Sequence, residues 1–71
     1  MSDHHFDAMF AARLASLREM RGLTQEEVAK RAELKPAAIS HFEPARRSPC
    51  LRNLMKLCSA LNCTPNDLLK P

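Results

Sequence analysis

The chain of 71 residues contains one glycine, three phenylalanines, no tryptophan and no tyrosine. It also has few β-branched residues, which strands favour, so a β-sheet fold has little to form from. Apolar residues nevertheless make up 45% of the chain, mainly leucine and alanine, which favours a compact helical core. A chain of this size buries roughly 60% of its unfolded surface on folding, so we expect one all-α domain.

Features of secreted and membrane proteins are also missing. The three cysteines, Cys50, Cys58 and Cys63, are odd in number and form no CxxC pair, so a disulfide framework is not expected. No apolar run approaches the roughly 18 residues of a membrane-spanning helix. The first residues, MSDHHFD, lack the basic start of a signal peptide. We therefore expect a soluble cytoplasmic protein that does not contact a membrane.

The sequence shows no pattern of a catalytic or metal site. It has no glycine-rich phosphate loop, no paired carboxylates in an apolar setting and no Ser–His–Asp arrangement. His4 and His5 are adjacent, but no further ligand accompanies them at a suitable spacing. We expect no enzyme activity, no cofactor and no metal. Residues 1–6 are interpreted as a flexible N-terminal arm and residues 7–71 as a single domain.

Apolar spacing and end signals predict five helices. The first runs from about Asp7 to Arg21, and Gly22 is suited to end it. The fourth runs from about Cys50 to Leu61 after a linking loop over 44–49, and Thr64 begins the fifth with a capping box. The expected apolar stripe of the fourth helix consists of Leu51, Leu54, Leu57, Cys58 and Leu61.

Residues 24–43 predict a helix-turn-helix. Thr24 and Glu27 form a capping box that begins the second helix. Pro36 is suited to the first position of the third helix, where its missing N–H costs nothing. Ile39 and Phe42 are then expected to face the core. Two short helices joined by a tight turn are the sequence form of this motif.

The outer face of the third helix has an unusual composition. It would carry Pro36, Ala37, Ser40 and His41, which are small or uncharged, whereas a solvated helix normally carries lysine and glutamate. From residue 35 to residue 56 there are five basic residues and one acidic residue. A local positive patch of this kind attracts polyanions. The two features together indicate a surface for binding DNA.

The order of these elements resembles the helix-turn-helix family of phage and bacterial regulators that includes the λ and 434 repressor and Cro proteins (XRE-like). The resemblance covers residues 14–69 and implies a compact five-helix bundle whose third helix enters the DNA major groove. The family pattern is matched at Thr24, Gln25, Ala29, Ile39, Ser40, Glu43, Pro49, Leu51 and Leu54.

The resemblance also implies roles for individual residues. The amide of Gln25, beside Thr24 at the start of the second helix, would contact a phosphate. Arg18 and Glu43 match a pair that forms an internal ion pair in some relatives. The remaining implied DNA contacts are Lys35 and Pro36 near the backbone, Ala37, Ser40 and His41 at the bases, and Arg46 and Arg47 at phosphates.

Two positions depart from the family pattern. Glu33 stands where the turn usually has glycine, so it must adopt a backbone conformation that glycine accepts more easily. Lys35 stands where a serine or threonine usually caps the third helix, and it cannot accept a capping hydrogen bond.

We therefore expect a sequence-specific regulator of double-stranded DNA, a repressor that acts as a homodimer on a pseudo-palindromic operator. Half-site centres would lie about 34 Å apart, and the dimer surface would involve helix 5, the end of helix 4 and Leu69. Two alternatives remain open. In the first, the chain would be an antitoxin-type module that binds a toxin as well as DNA. In the second, it would be the DNA-binding part of a longer regulator with an effector domain.

Overall fold

Five helices follow one another in a computed structural model that describes the backbone of residues 2–69 and the side chains of residues 8–69. They are α1 (Ser2–Met20), α2 (Gln25–Ala32), α3 (Pro36–Phe42), α4 (Leu51–Leu61) and α5 (Pro65–Leu69). The described backbone contains no strand. The predicted all-α, five-helix architecture is confirmed.

The start of α1 differs from the prediction. The helix begins at Ser2 and not near Asp7, so residues 2–6 are helical. Serine at position 2 and aspartate at position 3 are residue types that favour a helix N-terminus, a signal that the prediction did not use. The side chains of residues 1–7, including His4 and His5, lie outside the described part of the chain. The division into a flexible arm and a domain stays a prediction.

One hydrophobic core joins all five helices. α2 packs against α3 and α4, and α1 packs against α5. Ala29 of α2 is completely buried, and its small side chain allows α3 to pack closely. The core residues are Phe10, Leu14, Leu17, Leu23, Val28, Ala29, Ala32, Ile39, Phe42, Leu57, Cys58, Leu61 and Leu68.

The prediction for Leu51 is wrong. This residue was placed on the apolar stripe of α4, but it is 73% exposed. At 100° per residue it lies at the margin of the stripe beside Cys58, and it occupies the first position of the helix, more than one turn before the first buried residue, Leu57. Met55, one turn further along α4, is 49% exposed. Leu51 and Met55 therefore form an exposed apolar pair.

The cysteines are free thiols, and two of them pack in or against the core. Cys58 is buried and Cys63 is half-buried, as expected of core residues. Burial raises the pKa of Cys63 and raises the pKa of Cys58 to about 11. Both thiols are therefore protonated and weakly nucleophilic at neutral pH. Cys50 is exposed at the N-cap of α4.

A residue in the left-handed backbone conformation follows each of the first four helices within three positions. These residues are Gly22, Glu33, Ala45 and Asn62, with φ between 53° and 67°. At Glu33, the N–H of Leu34 donates to the carbonyl of Ala29 at 2.8 Å, and the N–H of Glu33 donates to the carbonyl of Lys30 at 3.2 Å. This pair of bonds is the Schellman motif. Because Glu33 carries a Cβ, its left-handed conformation is strained where glycine would be relaxed.

Capping boxes begin α2 and α5, as predicted. The hydroxyl of Thr24 accepts from the N–H of Glu27 at 3.1 Å, and the N–H of Thr24 donates to Glu27 Oε1 at 2.8 Å. Thr64 and Asp67 form the same pair of bonds, at 3.3 and 2.9 Å. The bonds from the two threonine N–H groups lower the pKa values of Glu27 and Asp67.

We expect Glu33→Gly to raise the free energy of unfolding by about 1 kcal/mol, because it removes the Cβ from a left-handed position. Glu26→Gly is the matched control: Glu26 is exposed within α2, where glycine lowers stability by about 0.5–1 kcal/mol. Urea unfolding of both variants measures the two effects. A Glu33→Gly variant less stable than the parent would contradict the strain assigned to Glu33.

The capping boxes predict a loss of stability in acid. Glu27 and Asp67 ordinarily titrate at 4.5 and 3.8, and their folded pKa values are lower. The unfolded chain therefore binds more protons in this range, so the contribution is complete above about pH 5 and is lost as the pH falls through the folded values. Melting temperatures between about pH 7 and pH 3 should fall less steeply for Glu27→Gln/Asp67→Asn than for the parent. If the melting temperatures of the two proteins fall equally steeply with pH, the capping boxes do not cause the loss of stability in acid.

Candidate nucleic-acid interface

The α2–turn–α3 unit consists of two short helices joined by residues 33–35. Glu33 turns the chain in its left-handed conformation, and Lys35 precedes Pro36, the first residue of α3. Ile39 and Phe42 bury one side of α3 in the core. With only seven residues, α3 is marginal as an isolated helix, so this burial holds it in place and leaves its other side outward.

The α3 outer face comprises Pro36, Ala37, Ser40 and His41. The first three side chains are exposed and His41 is half-buried. The Ser40 hydroxyl donates to the carbonyl of Ala37 at 2.9 Å, which leaves its oxygen able to accept a hydrogen bond. The face carries no lysine, arginine or carboxylate. Its exposure agrees with the sequence-based prediction, while contact with bases stays a prediction.

Lys35 lies at the N-terminal end of α3. Its backbone is extended, and its side chain makes no capping hydrogen bond, as expected from the departure noted in the sequence. The exposed ammonium group lies at the positive end of the helix dipole, where a cation is unfavourable. A bound phosphate would remove that disadvantage.

Arg46 and Arg47 lie just beyond the C-terminal end of α3. Both side chains are exposed. Their backbone N–H groups donate to the carbonyl of His41, at 2.9 and 3.3 Å. These bonds attach Arg46 and Arg47, here called the arginine loop, to the last turn of α3. Two cations are thereby held next to the α3 outer face.

An ion pair connects α1 with the end of α3. Arg18 Nε donates to Glu43 Oε2 at 2.6 Å, and Arg18 Nη2 donates to Glu43 Oε1 at 3.1 Å. Hydrogen bonding to Glu43 raises the pKa of Arg18. Arg18 Nη1 also donates to the carbonyl of Leu23 at 2.8 Å. The pair implied by the resemblance is therefore present, and it also holds the loop between α1 and α2.

Gln25 belongs to the same cluster, which sequence reasoning missed. Its Nε2 donates to Glu43 Oε1 at 3.0 Å. Gln25 is the first residue of α2 and Glu43 follows the last residue of α3, so the bond brings these two helix ends together. Eighteen positions separate the two residues, and no local pattern predicts a contact over that distance.

The nine residues expected to contact DNA lie at two ends of α3 and along its outer face. Gln25 reaches the C-terminal end through Glu43, and Arg46 and Arg47 follow at that end. Lys35 lies at the opposite end. Thr24 is exposed beside Gln25, and its hydroxyl oxygen serves the capping box.

Residues 14–68 match the model of the HTH_3 helix-turn-helix family. The chain belongs to this family. The HTH_3 match contains α2, α3, α4 and the last seven residues of α1. The chain therefore carries the helix-turn-helix DNA-binding domain of a transcriptional regulator.

Two relatives at the sequence level are HTH-type transcriptional regulators. An uncharacterised regulator of Sinorhizobium fredii, y4dJ, is 35% identical over 63 residues, covering 89% of this chain and 82% of the relative. DdrOP3 of Deinococcus deserti is 36% identical over 58 residues. That match covers 82% of this chain but 45% of DdrOP3, so the chain spans less than half of that regulator.

Solved HTH_3-like structures agree with the fold. The restriction-modification controller protein C.AhdI from Aeromonas hydrophila is 34% identical, with a TM-score of 0.85 over 87% of this chain and 94% of that chain. The P22 c2 repressor protein, solved in complex with a synthetic operator, is 31% identical. Its TM-score is 0.82, with the same coverage of 87% and 94%.

Over residues 2–69, no helix has the length and apolar character needed to cross a bilayer. Among the described side chains, no three His, Cys, Asp or Glu residues come together as a set of metal ligands.

Proposed function

We propose that this protein is a sequence-specific double-stranded-DNA-binding repressor that acts as a cytoplasmic homodimer on a pseudo-palindromic operator. The observation that carries the proposal is the α3 outer face, which carries no lysine, arginine or carboxylate and is bordered by exposed cations. Such a face can approach base edges without removing ammonium or carboxylate groups from water.

The dimensions of α3 support major-groove binding. Seven residues at 1.5 Å each make a helix about 10 Å long, close to the roughly 12 Å width of the groove. Lys35 at one end and Arg46 and Arg47 at the other would then face the phosphates on opposite sides. Thr24 and Gln25 would add contacts at the N-terminus of α2, where backbone N–H groups favour phosphate.

Direct reading of bases by this face is limited. Ala37 offers a methyl group to thymine, and Ser40 offers one hydroxyl. Pro36 has no donor, and His41 is the remaining polar side chain of the face. Neither Asn, Gln nor Arg is available for a bidentate contact, so phosphate contacts and DNA shape would supply a large share of specificity.

The solved relatives support operator binding. The P22 c2 repressor, whose fold this chain shares over 87% of its length, was solved in complex with a synthetic operator. C.AhdI is a controller of restriction-modification, and it is similar in length to this chain. A small regulator that consists of little more than this domain is therefore a suitable comparison for the proposal.

A homodimer would extend the recognised sequence. One α3 reads few base pairs, whereas a two-fold dimer reads two half-sites about 34 Å apart. Leu69, expected at the dimer surface, is half-buried against the core. Leu51 and Met55 are apolar side chains that are more exposed than Leu69. We propose that the dimer surface extends to them.

Phosphate contacts by Arg46 and Arg47 predict a change in salt dependence. A duplex recovered from a random pool by the parent protein serves as the probe in fluorescence anisotropy between about 50 and 200 mM salt. Arg46→Ala and Arg47→Ala should each weaken binding and reduce the slope of log K against log salt by about one unit. Arg31→Ala, which removes an exposed arginine from the last turn of α2, should leave the slope unchanged. Failure of the parent to enrich any duplex would contradict the proposed function.

Sedimentation equilibrium tests the dimer surface. A carboxylate in the centre of an apolar interface is desolvated, so Leu51→Glu and Met55→Glu should each shift the protein towards the monomer, about tenfold or more in dissociation constant. Met20→Glu is the control, since Met20 is 75% exposed on α1. Dissociation caused by Leu69→Glu alone would place the interface on α5 instead.

A further inference from the structure

We propose that Glu43 is a positioning residue for DNA binding: its carboxylate holds the Gln25 carboxamide in the orientation that donates to a phosphate. The proposal rests on the proposed function and adds to it. The resemblance assigns Glu43 only an internal partner, Arg18. In the structure, the same carboxylate also accepts a hydrogen bond from Gln25, the residue predicted to contact a phosphate.

The carboxylate of Glu43 is itself held firmly. Arg18 occupies Oε2 through Nε at 2.6 Å and shares Oε1 through Nη2 at 3.1 Å. The Glu43 side chain is 8% exposed and that of Arg18 is 15% exposed, so water competes little for these bonds. Oε1 is therefore a fixed acceptor for Gln25 Nε2 at 3.0 Å.

A fixed anionic acceptor settles which way the carboxamide points. The two ends of a glutamine amide have nearly the same shape, but one donates and the other accepts. With Nε2 bonded to Glu43, its second N–H is still able to donate, and a phosphate oxygen is an acceptor. The reversed amide would place two acceptors, Gln25 Oε1 and Glu43 Oε1, against each other.

Holding the side chain in advance also reduces the entropy that binding costs. Glutamine has three rotatable bonds, and ordering a flexible side chain at an interface weakens affinity. Since Arg18 neutralises Glu43, the cluster can lie near a phosphate without a net negative charge of its own.

A double-mutant cycle on DNA affinity separates this role from a purely structural one. The variants are Gln25→Ala, Glu43→Gln and the double variant, assayed with the selected duplex in a salt series. We expect each single change to weaken binding by about 10- to 100-fold, the size of one hydrogen bond to a charged group. Glu43→Gln should then have little further effect in the Gln25→Ala background, because the interaction that it disturbs is already absent.

Glu19→Gln is the matched control. Glu19 is the other carboxylate near Arg18, at 3.7 Å, and its side chain is 71% exposed. The substitution makes the same chemical change beside the same arginine, so it should not alter affinity through Gln25. It also accounts for the change in overall charge.

The possible results separate the two proposals. If Glu43→Gln weakens binding equally with and without Gln25, the positioning role is wrong and Glu43 acts through the fold. Unchanged affinity in Gln25→Ala also overturns it, while leaving the proposed function intact. A parent protein that binds no duplex overturns the proposed function itself. Circular dichroism checks that each variant folds. If Glu43→Gln does not fold, Glu43→Asp replaces it. This variant keeps the charge but has a shorter side chain, and its effect on binding is expected to show the same dependence on Gln25.

Discussion

The ion pair between Arg18 and Glu43 is the interaction on which the rest of the structure depends. It joins α1 to the end of α3 by two hydrogen bonds, and a third bond from Arg18 to the carbonyl of Leu23 includes the α1–α2 loop. Because both side chains are largely shielded from water, loss of either partner would leave the other charge unpaired and poorly hydrated. The pair therefore fixes the position of α3 relative to the bundle. Gln25 adds the start of α2 to the same carboxylate, so three helices meet at one point beside the proposed DNA surface.

Stability and function are divided between different parts of the α2–turn–α3 unit. α2 has a complete capping box at Thr24 and three buried residues, which make it a stable support. α3 has neither a side-chain cap nor an acidic residue in its first turn, and it follows a turn in which Glu33 is strained. Its position depends on Ile39, Phe42 and the Glu43 pair. In this arrangement the outward side of α3 is free to carry the small side chains that a groove can accept, since the helix does not need them for its own stability.

Features that depend on neighbours in the chain could be predicted from the sequence. Both capping boxes, the glycine at the end of α1 and the proline at the start of α3 have local signals. The predicted start of α1 was wrong because it relied on the spacing of apolar residues, and that pattern begins only near residue 10. The prediction that Leu51 belongs to the apolar stripe was wrong because helical periodicity gives a direction around the helix axis but not the distance from the core. The bond from Gln25 to Glu43 could not be predicted, since it depends on how two helix ends meet after folding.

The central claim is that the α3 outer face lies against a DNA duplex. The most direct test follows backbone amide resonances by NMR while the selected duplex is added. We expect the largest shifts at Ala37, Ser40 and His41, with further shifts at Gln25 and in the arginine loop, and small shifts along the outer side of α1. Shifts confined to α1 or to the exposed side of α4, with the α3 outer face unaffected, would contradict the account.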